Sequence, residues 1–173
     1  MSYSLKEIND QVRSDPGGFA RRCDDVYTEK VKKAAQKIAA HRRESHIVLL
    51  SGPSGSGKTT TAMKIEEQLR QMGIETHTVS MDNYFNTIDP ETAPRNREGA
   101  SDYDSPFCLD VDLLSRHFAM LDQGKTIHVP KYEFARQMRS DILSQPLRLG
   151  DDEIAIFEGI HALNDIIVGK NPK

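Results

Sequence analysis

A three-layer α/β/α fold with a parallel central sheet is predicted for this chain of 173 residues. Three observations carry the prediction. Three short runs are apolar and rich in β-formers, amphipathic stretches of helical period lie between them, and a glycine-rich loop joins the first run to the helix behind it. A β-hairpin and an N-terminal helical extension over residues 1–45 are expected beside the main unit at 46–173.

The extension is set apart by charge. Residues 1–45 carry ten Lys and Arg against seven Asp and Glu, whereas 46–173 carry thirteen against nineteen. Asp15-Pro16-Gly17-Gly18 is a turn signal that splits this segment. Beyond it, Tyr27, Val31, Ala34 and Ile38 recur on one helical face, so a helix is predicted over 24–43, available to pack on the sheet or to mediate self-association. Lys30, Lys32, Lys33, Lys37, Arg42 and Arg43 read as its solvated face, because no aromatic residues interleave with them as a nucleic-acid site would require.

HIVLLS (46–51) reads as a buried parallel strand. After the glycine-rich loop, Ala62, Met63, Ile65, Leu69 and Met72 mark a helix closed by Gly73, and ETHTVSM (75–81) is the second strand. Strand, helix and strand make a βαβ unit, hence a parallel sheet. Residues 86–107 are polar with little periodicity, and a loop of that length is either disordered or functional. Asp110 caps a helix whose face is Val111, Leu114, Phe118 and Leu121, ended by Gly124. TIHVPKYEF (126–134) and ILSQPLRL (142–149) are expected to form the hairpin over RQMRSD, and EIAIFEGI (153–160) is the third core strand.

Composition bounds the function. With 37% hydrophobic and 28% charged residues the chain is globular rather than disordered. No apolar run reaches the roughly 18 residues that span a bilayer, and MSYSLKEINDQV has no secretory core. Cys23 and Cys108 alone make no disulfide framework, so a reducing, cytoplasmic setting is expected. A net charge of −3 gives no electrostatic ground for a nucleic-acid or membrane partner.

One motif carries most of the chemistry. Gly52-Pro-Ser54-Gly55-Ser56-Gly57-Lys58-Thr59, followed by Thr60, fits G-x-x-x-x-G-K-[ST] between an apolar strand and an amphipathic helix, the setting of a P-loop NTPase fold. Glycines let the backbone wrap phosphates with its N–H groups, and the helix N-terminus behind adds a favourable dipole. Lys58 would neutralise β- and γ-phosphate charge, and the Thr59 hydroxyl would bind Mg²⁺. Nucleoside triphosphate binding is thus expected; the fate of the γ-phosphate is open at this level. Asp82 and Glu158 each stand at the carboxyl end of a predicted strand, where open α/β sheets bind ligands. Either acid also makes sense singly as a cap or a solvated strand end; together, facing one phosphate loop, they point to a site for metal and an acceptor hydroxyl.

Five segments in order, GPSGSGKTT (52–60), DNYF (82–85), DYDSPFCLD (102–110), VPKYEF (129–134) and FEGI (157–160), resemble the uridine kinase family of P-loop kinases, within the group that includes phosphoribulokinase. The resemblance covers residues 46 to about 165. It implies ATP as phosphate donor, Mg²⁺, and a small-molecule nucleoside (uridine or cytidine) as acceptor. It implies that Asp82 is the base toward the ribose 5′-hydroxyl and lies near the metal, that Glu158 accompanies Mg²⁺, and that Asp104 binds the ribose hydroxyls. Tyr103, Tyr132 and Phe134 match aromatic positions around the nucleoside, a use that suits stacking on a base; hairpin core is the other reading of Tyr132 and Phe134.

The chain departs from the family in three places. Gln137 stands where a histidine often reads the pyrimidine edge, and Phe85 stands where tyrosine is usual. EGIHAL (158–163) looks more like the phosphoribulokinase form, which makes His161 either a local structural residue or a sign of another acceptor. Arg136 and Arg139 are the arginines placed to approach substrate, although the family's lid arginines have no counterpart before Lys173. A kinase front part, weak or inactive alone, is therefore expected. A kinase of another hydroxyl metabolite and a nucleotide-binding module without transferase activity stay open beside nucleoside phosphorylation.

Overall fold

The computed structural model describes residues 3–89, 91–140, 142 and 146–169. The central sheet has three parallel strands, β1 (Ile47–Ser51), β2 (Thr76–Ser80) and, numbered seventh along the chain, β7 (Ile154–Gly159). Their order is β1-β7-β2, with Leu50 and Ser80 both opposite Glu158. The predicted βαβ unit is present, but its strands are not neighbours. β7 is buried along its whole length, and the most apolar strand takes the centre, where both faces and both edges are covered.

Period-two alternation along β7 separates two cores. Ile154 and Ile156 pack with Ala62, Ile65 and Leu69 of α3 (Lys58–Gln71) and with Val31 and Ala35 of α2 (Pro16–His41). Ala155 and Phe157 join Leu114, Phe118 and Leu121 of α4 (Val111–Asp122) and Ile167 of α5 (Asp165–Val168). These are the three layers. Met63 and Met72, expected on the apolar stripe of α3, are instead exposed.

The N-terminal segment divides as the turn signal predicts, but Asp15-Pro16 opens a helix rather than a loop. The Asp15 carboxylate accepts from the Gly18 amide at 2.8 Å, and Pro16 sits in the first turn. α1 (Leu5–Ser14) buries no residue, while α2 runs longer than predicted and shares a core with α3. The segment is thus appended in sequence but not in packing.

The hairpin is corrected in detail. Two short antiparallel pairs replace it: β3 (Ile127–His128) with β6 (Pro146–Leu147), and β4 (Tyr132–Glu133) with β5 (Met138–Arg139). Pro130 lacks an N–H and interrupts the first strand. The inner turn falls over Phe134–Gln137, where Gln137 is left-handed at φ 51°, and Met138–Arg139, placed in the turn from sequence, is strand. Residues 143–145 of the expected second strand lie outside the described residues.

Candidate functional site

The site forms at the carboxyl ends of β1, β2 and β7. Ser51 ends β1, and residues 52–57 turn tightly into α3 through left-handed glycines, Gly55 at φ 72° and Gly57 at φ 81°. A Cβ at Gly52 would meet Ser56 Oγ at 2.8 Å and Lys58 Cγ at 3.2 Å, so a side chain there would displace Ser56 and crowd Lys58. Lys58 Nζ arches back and donates to the Pro53 carbonyl at 3.1 Å. Ser54, Ser56, Thr59 and Thr60 lie exposed along the loop and first turn, at the N-terminus of α3, whose dipole favours an anion.

β2 runs into a 3₁₀ turn, Met81–Tyr84, that carries Asp82. This turn lies so close to the end of β7 that a Cβ on Gly159 would meet Met81 Cβ at 2.9 Å. That approach explains the glycine of FEGI and sets Asp82 beside Glu158. Burial of the carboxylate in the cleft, and next the charge of Glu158, raise the Asp82 pKa, while Lys58 and His161 oppose the shift. Thr59 Oγ1 donates to Glu158 Oε1 at 3.2 Å. Two carboxylates and a hydroxyl are hard oxygen donors, and the repulsion between the acids is what a divalent cation relieves; the residues fit Mg²⁺.

From here a cleft of about 270 Å³ extends away from the phosphate loop. Ser54, Lys58 and Asp82 line its near end, and Tyr103, Asp104, Tyr132, Phe134 and Gln137 line the remainder. Phe85, Tyr132 and Phe134 form an aromatic cluster, with Tyr132 and Phe134 centroids 4.9 Å apart and Phe85 at 5.6 and 6.0 Å from them. Tyr132 is buried and Phe134 is 60% exposed, so the pair is split between core and cleft rather than being core together. Among the described residues Tyr132 Oη is buried without a hydrogen-bond partner. Burial, with Cys108 and Tyr103 nearby, raises its pKa.

Arg139 is placed elsewhere than its expected substrate role would put it. Its guanidinium donates to Asp110 Oδ2 at 3.0 Å, to the Tyr84 carbonyl at 3.2 Å and to the Phe85 carbonyl at 3.3 Å, outside the cleft lining. Arg136 pairs with Glu133 at 3.3 Å on the surface. Sequence reasoning missed Ile88 and Ile160 as cleft walls and took Phe85 only as a departure. Ile88 was findable as the one large aliphatic side chain in a polar loop, whereas nothing in the sequence separates Ile160 from core.

A glycine loop on a helix N-terminus, at the end of a parallel strand and facing two acids, defines the class: a P-loop α/β protein. The chain belongs to the Phosphoribulokinase / Uridine kinase family, whose pattern it matches over residues 47–170. It is 27% identical over 164 residues to the uridine kinase of Saccharomyces cerevisiae, covering 95% of this chain and 32% of that one. It is 31% identical to the uridine-cytidine kinase 2-B of Danio rerio, over 68% of this chain and 46% of that protein. The chain thus spans a third to a half of these two relatives' length. The solved structure of a possible uridine kinase from Bacillus stearothermophilus shares the fold, with a TM-score of 0.58 and 24% identity over 76% of this chain and 70% of that one. No described helix is long and apolar enough to cross a membrane.

Proposed function

We propose that this chain carries the nucleotide and acceptor sites of an ATP-dependent, Mg²⁺-requiring kinase that phosphorylates the 5′-hydroxyl of a pyrimidine nucleoside, uridine or cytidine, to UMP or CMP. The observation that carries the reading is the continuity of one cleft. Lys58 and Ser54 line its phosphate end, Asp82 stands between, and aromatic rings with Asp104 and Gln137 line the far end. In this arrangement Lys58 and the loop amides hold the phosphates, and Thr59, Asp82 and Glu158 hold Mg²⁺. The ion supplies charge neutralisation on the phosphates when bound. Asp82 accepts the proton of the 5′-hydroxyl as its oxygen bonds to the γ-phosphorus and the bond to the ADP oxygen breaks. Asp104 holds the ribose hydroxyls, the rings stack on the base, and Tyr132 Oη and Gln137 have hydrogen-bonding capacity for its polar edge.

Charge supports a neutral acceptor. Among the described residues lining the cleft, Lys58 is the one cation, and it sits at the phosphate end. A sugar phosphate would call for a second cation deeper in, and Arg139 is occupied by Asp110 and two carbonyls. A kinase of another small hydroxyl metabolite, phosphoribulokinase-like or pantothenate-kinase-like, is the second reading, favoured by Gln137 in place of a histidine. Under the first reading, a uridine or cytidine kinase would serve pyrimidine salvage in the cytoplasm. The test is an ATP-consumption assay of the full-length protein against uridine, cytidine, ribulose 5-phosphate and pantothenate. Turnover with either nucleoside is expected; turnover with the sugar phosphate and none with nucleosides overturns the reading.

A further inference from the structure

His161 follows the end of β7, and the reaction described above gives it no task. Its Nε2 lies 2.7 Å from the Asp104 carbonyl oxygen, across 57 residues of sequence. A carbonyl only accepts, so Nε2 carries the hydrogen and donates it. The histidine end of this bond is firmly held. Ser51 Oγ donates to the Ile160 carbonyl at 2.9 Å, and the Asn164 amide donates to the His161 carbonyl at 2.8 Å. The other end is an exposed loop tip, Tyr103–Asp104. The base of the loop is fixed by the Asp102 amide, which donates to the Pro94 carbonyl at 2.7 Å, by Cys108 Sγ, 3.4 Å from the Asp102 carbonyl, and by buried Ser105, whose amide donates to the Asp102 carbonyl at 3.3 Å; His161 Nε2 adds the bond at the tip itself. Neither His161 nor Asp104 belongs to an apolar core, and the two residues at the tip both line the cleft.

We propose that His161 is a positioning residue for the acceptor: it ties the Tyr103–Asp104 tip to the end of β7, so that the Asp104 carboxylate and the Tyr103 ring stand at a fixed place relative to Asp82 and Glu158. The strand that carries the metal-side acid thereby also sets the acceptor wall. The bond joins two surface segments, so its loss acts on the loop rather than on global stability. The inference rests on the reading of this cleft as the acceptor site.

The test compares His161→Ala and His161→Gln in the full-length protein, because glutamine offers an amide donor at similar reach. Each variant is measured for nucleoside KM, ATP KM and kcat, and for hydrogen exchange of the peptide over 100–107 without ligand. One hydrogen bond predicts that His161→Ala raises nucleoside KM and speeds loop exchange by about 3- to 10-fold, with ATP KM unchanged, and that His161→Gln restores most of both. Unchanged loop exchange in His161→Ala overturns the proposal, whatever the activity. So does an equal rise in both KM values that glutamine fails to rescue, which would assign His161 to packing. If the unaltered protein phosphorylates no nucleoside while exchange responds as expected, the acceptor assignment falls and the tie between His161 and the loop stands.

Discussion

Arg139→Ala separates a structural arginine from a substrate-binding one. Three acceptors lose their donor at once: Asp110 Oδ2, the Phe85 carbonyl and the Tyr84 carbonyl. Hydrogen bonds to a charged group contribute about 1.5–3 kcal/mol each. The full sum is not reached. The side chains of Arg139 and Asp110 are 27% and 26% exposed, the Tyr84 carbonyl keeps the Asp110 amide at 2.8 Å, and Asp110 Oδ1 keeps its cap on Leu113 at 2.9 Å. A loss of about 2–4 kcal/mol follows. For a chain of this size that lowers Tm by about 4–16 °C. Arg139→Lys should recover less than half, since an ammonium cannot fork to three acceptors. The assay is thermal and urea denaturation followed by circular dichroism. An unchanged Tm and urea midpoint with a raised nucleoside KM would refute the argument and return Arg139 to the acceptor.

Asp82→Asn should leave ATP affinity in a calorimetric titration nearly unchanged and lower turnover by about 10²- to 10⁴-fold; near-normal turnover removes Asp82 as base. The same variant has a pH signature. The Asp82 pKa is raised by folding, so its contribution to stability is present below the ordinary value of 3.8 and is lost as pH rises through the raised value. Asparagine escapes that loss, so the Tm of the unliganded variant should exceed that of the unaltered chain by a margin that grows over this window; a constant margin contradicts the shift. Ala35→Glu places a charge at a fully buried position between α2 and α3 and should cost about 3 kcal/mol or more. A Tm within experimental error of the parent would mean that α2 does not pack there.

What was legible in the sequence was legible for local reasons. The phosphate loop needs glycines at φ 72° and 81°, and few other turns require that spelling. Asp110 announces α4 because an N-cap is read from its neighbours alone; its side chain does accept from Leu113. The family follows from five segments in order, with a match over residues 47–170. What was not legible is tertiary. Nothing near Ile154 says that it will lie between β1 and β2, nor that α2 will close over the same face through Val31 and Ala35. The hairpin register failed because Pro130 divides one strand and Gln137 takes a left-handed conformation that glutamine rarely signals. Arg139 looked like a substrate group because an arginine beside a cleft is ambiguous until its acceptors, two of them backbone carbonyls, are in place.

The central position of β7 bears on how the molecule is made. β1 and β2 are synthesised early, yet among the described residues neither pairs with the other; each pairs with β7. Residues 81–153, which supply most of the cleft lining, are translated in between, so a long chain segment must be closed before the described strands can pair. Until then the Val48 and Val79 strands present unpaired edges, the feature that invites intermolecular association. Arrival of Ile154–Gly159 therefore acts as the step that commits the nascent chain. A lesion in this strand would show itself first as poor yield and aggregation, before any effect on ligand affinity became measurable.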